Sequence, residues 1–428
     1  MSEEVELVID NSDTKEGSCE KPSDYVAPKI GNWVMLASFI SNCSGGVFPT
    51  LQQPFMQAGV IGGFIVTIVV GLASMWSCWF IIKYIIPNRK KMLDDIITDR
   101  FPRIGFAISI VSKLVSSLLY LTYGVGNFMF LNQALSDLIY NRHHNLSLKI
   151  QMVITSCIVF LLTMIRTPAF TVLLSAISVV TPIFTVSGIT WYGFRYSNSV
   201  DRQCMKEAFT SISGEFHNST HAGWGAMFSL GGVLLSSYYM QSGLPSMLSP
   251  AKHPRNNQLI CQVGFAIVIV IYLWISIVGS LPYACGWKEG IYPPSNYQTN
   301  FTQGGFALTE QSFFLIAQVL GPPYTFMIFR ATTIDWLPWH RWPKQSKRWA
   351  DYFTNACLIV IGACITYYGT SIQTILEIGG VGCTIVWAVI IPLGWDMYVE
   401  RRGHYIKHTI SALIGALLVS ISIGQYCF

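Results

Sequence analysis

Ser44-Gly45-Gly46-Val47-Phe48-Pro49 and Ser242-Gly243-Leu244-Pro245 each lie inside an apolar run long enough to cross a membrane. Both are sequences that stop a helix. Glycine gives up helix stability and lets another group approach the backbone. Proline removes a donor and clashes with the preceding turn. In lipid, such breaks survive only where they line a cavity or pack against protein. They fall in the first and sixth spanning segments, the matching positions of two five-segment halves. Paired breaks of this kind are the sequence mark of a secondary transporter's binding site.

The composition around them is that of a polytopic membrane protein. It is 52% hydrophobic and 11% charged, against about 25% charged for soluble domains. About eleven spans are predicted, at roughly 30–57, 60–86, 104–132, 149–166, 168–193, 222–248, 257–284, 305–334, 351–369, 372–396 and 404–426. As one helix span 1 would run ~40 Å, against ~30 Å of hydrocarbon, so a break or tilt is expected. Residues 1–29 are polar, begin with Glu3, Glu4 and Glu6, and read as a disordered cytosolic tail. The net charge of +5 belongs to the loops and gives no reason to expect a nucleic-acid partner.

Basic residues set the orientation. With the N-terminus in the cytosol, the inner side collects Lys83, Arg89, Lys90, Lys91, Arg100, Arg103, Lys252, Arg255, Lys344, Lys347, Arg348, Arg401 and Arg402. The outer side receives only Arg142, Lys149, Arg195, Arg202, Lys206 and Lys288. That is a positive-inside bias. Three sequons, at Asn145, Asn218 and Asn300, fall in the 3–4, 5–6 and 7–8 connections. All are outer on this assignment and are expected to be glycosylated. A fourth, at Asn42, lies within span 1 and is expected to stay bare. Of the 11 cysteines most lie in apolar segments and act as small hydrophobes. Cys204 and Cys285 face the outer side, where they read either as a disulfide or as two free thiols near helix ends.

The segment around span 6 resembles the amino acid/auxin permease family, within the amino acid–polyamine–organocation superfamily. Ser237-Tyr-Tyr-Met-Gln-Ser-Gly-Leu-Pro245 is followed by Lys252-His-Pro254, matching the family's S-F-G-G-H-x-x-L-P and K-x-P spacing. Tyr272 with Gly279-Ser-Leu-Pro-Tyr-Ala-Cys-Gly286, Gln57-Ala58-Gly59, Tyr123-Gly-Val-Gly and Ile378-Gly379-Gly380 fit as well. The resemblance covers about residues 30–400. It implies a five-plus-five inverted repeat with discontinuous helices 1 and 6. Residues 30–193 form the first repeat, 194–221 an outer loop, 222–396 the second repeat, and 404–426 an appended eleventh helix. The substrate would sit near the midplane between spans 1, 3, 6 and 8.

An amino acid brings a carboxylate and an ammonium, and each must be satisfied where water is scarce. The half-helix after the first break offers free backbone N–H groups and a dipole suited to an anion. Ser44, Gly45, Gly46 and Val47 would form that anion site. Tyr123 of span 3 and Ser236, Ser237, Tyr238 and Tyr239 of span 6 would meet the ammonium and the side chain. The alternative reading of Gly45-Gly46 is close helix packing. Where the family has Gly-Gly-His, this chain has Tyr239-Met240-Gln241. The larger side chains should shrink the pocket and favour small neutral amino acids or another small solute.

All eight histidines lie in loops or at span ends. Sodium-coupled relatives use a span 8 hydroxyl just before a proline, and the matching Gly321-Pro322-Pro323 lacks it, though Thr325 is close. Coupling to a proton, or none, is therefore expected over coupling to sodium, and no other cofactor is implied. Ionisable residues inside a membrane are functional suspects. Glu377 in span 10 is the foremost proton candidate. Lys113 in span 3 can snorkel, and Glu310 is read as hydrated near the outer end of span 8. Trp336, Trp339, Trp342 and Trp349 read as interfacial anchors. No Ser/His/Asp set, metal-ligand spacing or filter motif marks an enzyme or a channel. The reading is a secondary transporter in the plasma or an endolysosomal membrane, its partners being lipid and a small-molecule substrate. The rival reading is a non-transporting sensor on the same fold.

Overall fold

The computed structural model describes residues 29–44, 48–84, 105–140, 147–164, 168–197, 200–210, 220–241, 243–248, 250–286, 291–294, 296–301, 305–321, 323, 325, 343–368, 375 and 379. Among them the protein is helical, and its one β-bridge is isolated. The segments predicted as spans 10 and 11 lie almost wholly outside the described residues.

Span 1 is broken as expected. Helix α1 (Asn32–Ser44) ends at the Gly-Gly pair, a 3-10 turn covers Phe48–Thr50, and α2 (Gln52–Gln57) completes the segment. Gly59 follows at φ 78°, a left-handed conformation that glycine adopts without strain, and turns the chain into α3 (Val60–Tyr84). The next helix, α4 (Gly105–Tyr140), runs past the predicted end of span 3. Then come α5 (Leu148–Thr163), α6 (Pro168–Ile177) and α7 (Val180–Ser197). A turn at Ser178-Val179 divides α6 from α7, so span 5 is bent.

The 194–221 connection is not simply loop. It carries α8 (Arg202–Thr210), an amphipathic helix packed on α3. Span 6 is also broken. Helix α9 (Thr220–Ser237) gives way over Tyr238–Gly243 and resumes as α10 (Leu244–Leu248). Helices α11 (Asn257–Ser280), α12 (Gly305–Leu320) and α13 (Lys344–Tyr367) follow. Four stretches among the described residues are long and apolar enough to cross a membrane: Val60–Trp79, Phe170–Ser197, Pro254–Tyr283 and Arg348–Tyr367.

Packing puts both breaks in the middle of the bundle. α1 lies against α6 and α11, α2 against α9 and α11, and α9 against α3. Small residues permit these approaches. A side chain at Gly71 would press on Ile269 and Tyr238, and one at Gly279 on Gln52. Phe39, Phe48, Phe55, Tyr238, Phe265 and Tyr272 are fully buried in one core that spans both halves.

The bundle is closed at both ends. On the predicted inner side Ile30 N donates to Pro250 O (2.8 Å) and Lys252 N to Ile30 O (2.8 Å), tying the start of helix 1 to the end of helix 6. On the opposite side a 3-10 turn in the 7–8 connection, Tyr297–Asn300, packs on the Phe48–Thr50 turn.

Candidate functional site

A helix end leaves carbonyls without partners, and each break here draws a tyrosine hydroxyl from a neighbouring span. Tyr272 on α11 donates to the Cys43 carbonyl (2.5 Å) at the end of α1 and also contacts the Ser237 hydroxyl. Phe48, just past the break, stands edge-on to the Tyr272 ring, with centroids 5.5 Å apart. Tyr123 on α4 donates to the Ser236 carbonyl (2.7 Å) at the end of α9. Two residues on opposite sides of the bundle thus fix the two breaks.

Of the residues expected to bind substrate, Tyr123, Ser236 and Tyr239 come together. The Tyr120, Tyr123 and Tyr239 rings form a cluster with centroids 6.0–6.3 Å apart. Gly379 of the second repeat also adjoins Ser236: an added Cβ there would sit 3.2 Å from the Thr122 hydroxyl and 3.7 Å from Ser236 Cβ. Ser237 and Tyr238 belong instead to the Tyr272 side. The Tyr238 ring lies 5.0 Å from Tyr272, and its buried hydroxyl has no hydrogen-bond partner. Gln52 donates its amide to Phe48 O (2.9 Å), and its Oε1 is buried without a donor. Unpaired buried polar atoms cost free energy, and two beside the breaks are what a ligand site presents.

Ser44 is buried at the end of α1 but spends its hydroxyl on Ile40 O (2.6 Å). Gly45, Gly46 and Val47 lie outside the described residues, as does Glu377. Met240 and Gln241 do not face the aromatic cluster as a pair of pocket residues. Gln241 folds back to accept from Met240 N (2.9 Å) and donates to Ser77 (2.8 Å), pinning the unwound segment to α3.

A cavity of about 60 Å³ lies below the first break, between α1, α4, the α6–α7 turn and the end of α12. Ser41, Asn42, Asn127, Ser178, Gln318 and Thr325 supply its polar lining. Thr325 accepts from Asn127 Nδ2 (3.2 Å), and Ser41 pairs with Ser178. Among the described residues no group of three His, Cys, Asp or Glu side chains could hold a metal.

Three readings fail. Glu310 is not hydrated: it is 1% exposed, and its Oε1 accepts from Gln298 Nε2 (2.7 Å). No disulfide joins Cys204 to Cys285. Cys285 is an exposed free thiol beyond α11, whereas Cys204 rides on α8, which packs on α3. Asn300 is not presented for glycosylation. Its Oδ1 accepts from Tyr283 (3.0 Å), and its Nδ2, the atom a glycan would occupy, is buried. Asn145 and Asn218 lie outside the described residues, and Asn42 is held in α1 by its bond to Ser38 O (2.9 Å).

Tyr272 and Tyr120 were the site residues hardest to single out in the sequence. For Tyr120 the signal is only a phenol in an apolar helix, and for Tyr272 the family motif gave its place but not its role as a cap. The Gln298–Glu310 pair joins residues on separate elements and leaves no motif.

A family model described as "Transmembrane amino acid transporter protein" matches residues 28–424. Among solved structures, a mutant manganese transporter of Eremococcus coleocola is similar at 13% identity and TM-score 0.57. The match covers 95% of this chain and 88% of that one. Mhp1, a nucleobase-cation-symport-1 family transporter in a closed conformation with bromovinylhydantoin bound, is similar at 12% identity and TM-score 0.53. That match covers 95% of this chain and 91% of Mhp1. At these identities the likeness is one of fold: a five-plus-five inverted-repeat transporter architecture. No curated protein matches the chain.

Proposed function

Because the chain belongs to the transmembrane amino acid transporter protein family, we propose that it carries small neutral amino acids or closely related small organic solutes by alternating access about its two broken helices. The observation that carries the size limit is the Tyr120–Tyr123–Tyr239 cluster beside Ser236, where the unwound segment would receive a substrate side chain. The substrate carboxylate would take the backbone N–H groups of Ser44, Gly45, Gly46 and Val47. Its ammonium would take the carbonyls and hydroxyls of Ser236 and Ser237, with Tyr238 completing the wall.

The coupling ion would be a proton, if there is one. The cavity at Thr325 has no carboxylate among its lining residues, and the Thr325 hydroxyl already accepts from Asn127. Glu377, two residues before Gly379 in the chain, would be the coupling candidate. The N-terminus would be cytosolic, and the membrane plasma or endolysosomal.

The test is competition. Uptake of a radiolabelled small neutral amino acid into proteoliposomes should be inhibited by other small neutral amino acids and left unchanged by large or charged ones. Equal inhibition by large aromatic amino acids would refute the size limit. Saturable binding without uptake would favour the sensor reading.

A further inference from the structure

The 7–8 connection is tied to α12 by two buried side chains, Glu310 and Gln311, the latter donating its amide to Phe301 O at 2.7 Å. Glu310, on the second turn of α12, is 1% exposed and Gln298, in the 3-10 turn, is 2% exposed. Gln298 Nε2 donates to Glu310 Oε1 at 2.7 Å. The remaining oxygens of both groups, Glu310 Oε2 and Gln298 Oε1, are buried acceptors with no donor. On α7, Thr185 lies near the carboxyl, and Gly188 abuts it so closely that an added Cβ would sit 3.0 Å from the Glu310 Cγ. Phe301 closes the remaining side of that contact.

Among the described residues no cation touches this carboxylate, and the charged groups at the same end of the helices packed on α12 are Asp137 on α4, Lys149 on α5 and Arg195 on α7. Lys149 and Arg195 are exposed, and Arg195 lies over Trp191 at 4.8 Å. Tyr297, next to Gln298 in the chain, packs edge-on against Tyr192 with centroids 5.6 Å apart. Burial first, then the neighbouring Tyr283 and Tyr192 hydroxyls, raise the Tyr297 phenol above its usual range, so it stays neutral. An ionised carboxylate buried without a partner is costly. A carboxylic acid is different: it joins a primary amide through two hydrogen bonds, one given and one received. A proton on Glu310 Oε2 provides a donor where two acceptors lack one.

We infer that Glu310 and Gln298 form a proton-binding site on the 7–8 connection, which takes up one proton as the loop closes over the first helix break. The proton enters from the side onto which that loop opens and bonds to Oε2; no other bond forms or breaks. The 3-10 turn bears directly on Phe48–Thr50, so loop closure and the shape of the substrate site move together. The inference rests on the alternating-access reading for its use, but not for its detection.

Hydrogen exchange on the full-length protein in lipid nanodiscs tests it, without substrate or transport. The amides of Gln298, Thr299 and Phe301 donate within the turn and report its closure. After correction for intrinsic rates, their protection in the wild type should fall between about pH 5.5 and about pH 8, by up to about tenfold per pH unit. Glu310→Gln, which keeps the amide-like pairing without a titrating proton, should be protected equally at both. Glu310→Leu should also lose the pH dependence, and covers the case in which the glutamine variant does not fold. A flat wild-type profile would overturn the site, as would the same slope in both variants. Protection that follows sodium against choline at fixed pH would also overturn it, since the ligand would then be a metal cation. A positive result with no uptake would leave the site standing and the transport reading failed.

Discussion

Single hydroxyls at the two breaks are asked to do specific work. Tyr272 satisfies the Cys43 carbonyl in the last turn of α1, and a phenylalanine there would keep the ring contact with Phe48 while orphaning Cys43 O. Tyr272→Phe should therefore lower stability by about 1–3 kcal/mol, read as a reduced melting temperature of the purified protein, and reduce uptake more than the melt alone explains. Unchanged uptake would show that the cap serves only the fold. Tyr239 is the side chain that fills the unwound segment of span 6. Tyr239→Ala removes one wall of the cluster and should extend the range of competing amino acids to larger neutral side chains. A competition panel that does not change would move the size limit elsewhere.

At the scale of the elements, the breaks were legible because they rest on local chemistry. Gly45-Gly46 before Pro49, and Gly243 before Pro245, weaken a helix locally, and together they favour a break. The spans were legible from apolar length, yet α4 runs on to Tyr140 because its last turns pack on α12 through Phe130, Ala134 and Phe314. The bend at Ser178-Val179 was not legible. It is fixed by the pairings of Ser38 with Ser175 and of Ser41 with Ser178, residues 137 apart in the chain. Long-range pairs also explain the misreading of Glu310, since its partner Gln298 sits in a loop with no periodicity. The Gly-Gly element itself is tested by Gly46→Leu. Leucine is the better helix former by up to about 1 kcal/mol. The substitution should therefore leave the protein folded and at the membrane while eliminating substrate binding. Misfolding instead would mean that the pair serves helix packing.

For the whole molecule, the pairing of Ile30 with Ala251 and the seat of Tyr297–Asn300 on Phe48–Thr50 close the two ends at once. Ile30→Pro removes the N–H that bonds Pro250 O and should loosen the inner end alone, seen as faster labelling of a cysteine placed at Ala251. The outer assignment of the odd-to-even connections is tested by glycosidase treatment: Asn145→Gln with Asn218→Gln should abolish any mass shift, and Asn300→Gln alone should leave it unchanged. Loss of the shift on changing Asn300 would contradict its enclosure beside Tyr283. The central claim is that these closures alternate to move a small zwitterion across the membrane. Its most direct test is counterflow in proteoliposomes loaded with an unlabelled small neutral amino acid, with labelled substrate outside. The account predicts transient accumulation of label in wild type, little altered when sodium is replaced by choline, and none in Gly46→Leu. Saturable binding in wild type with no accumulation under any imposed pH or sodium gradient would contradict it.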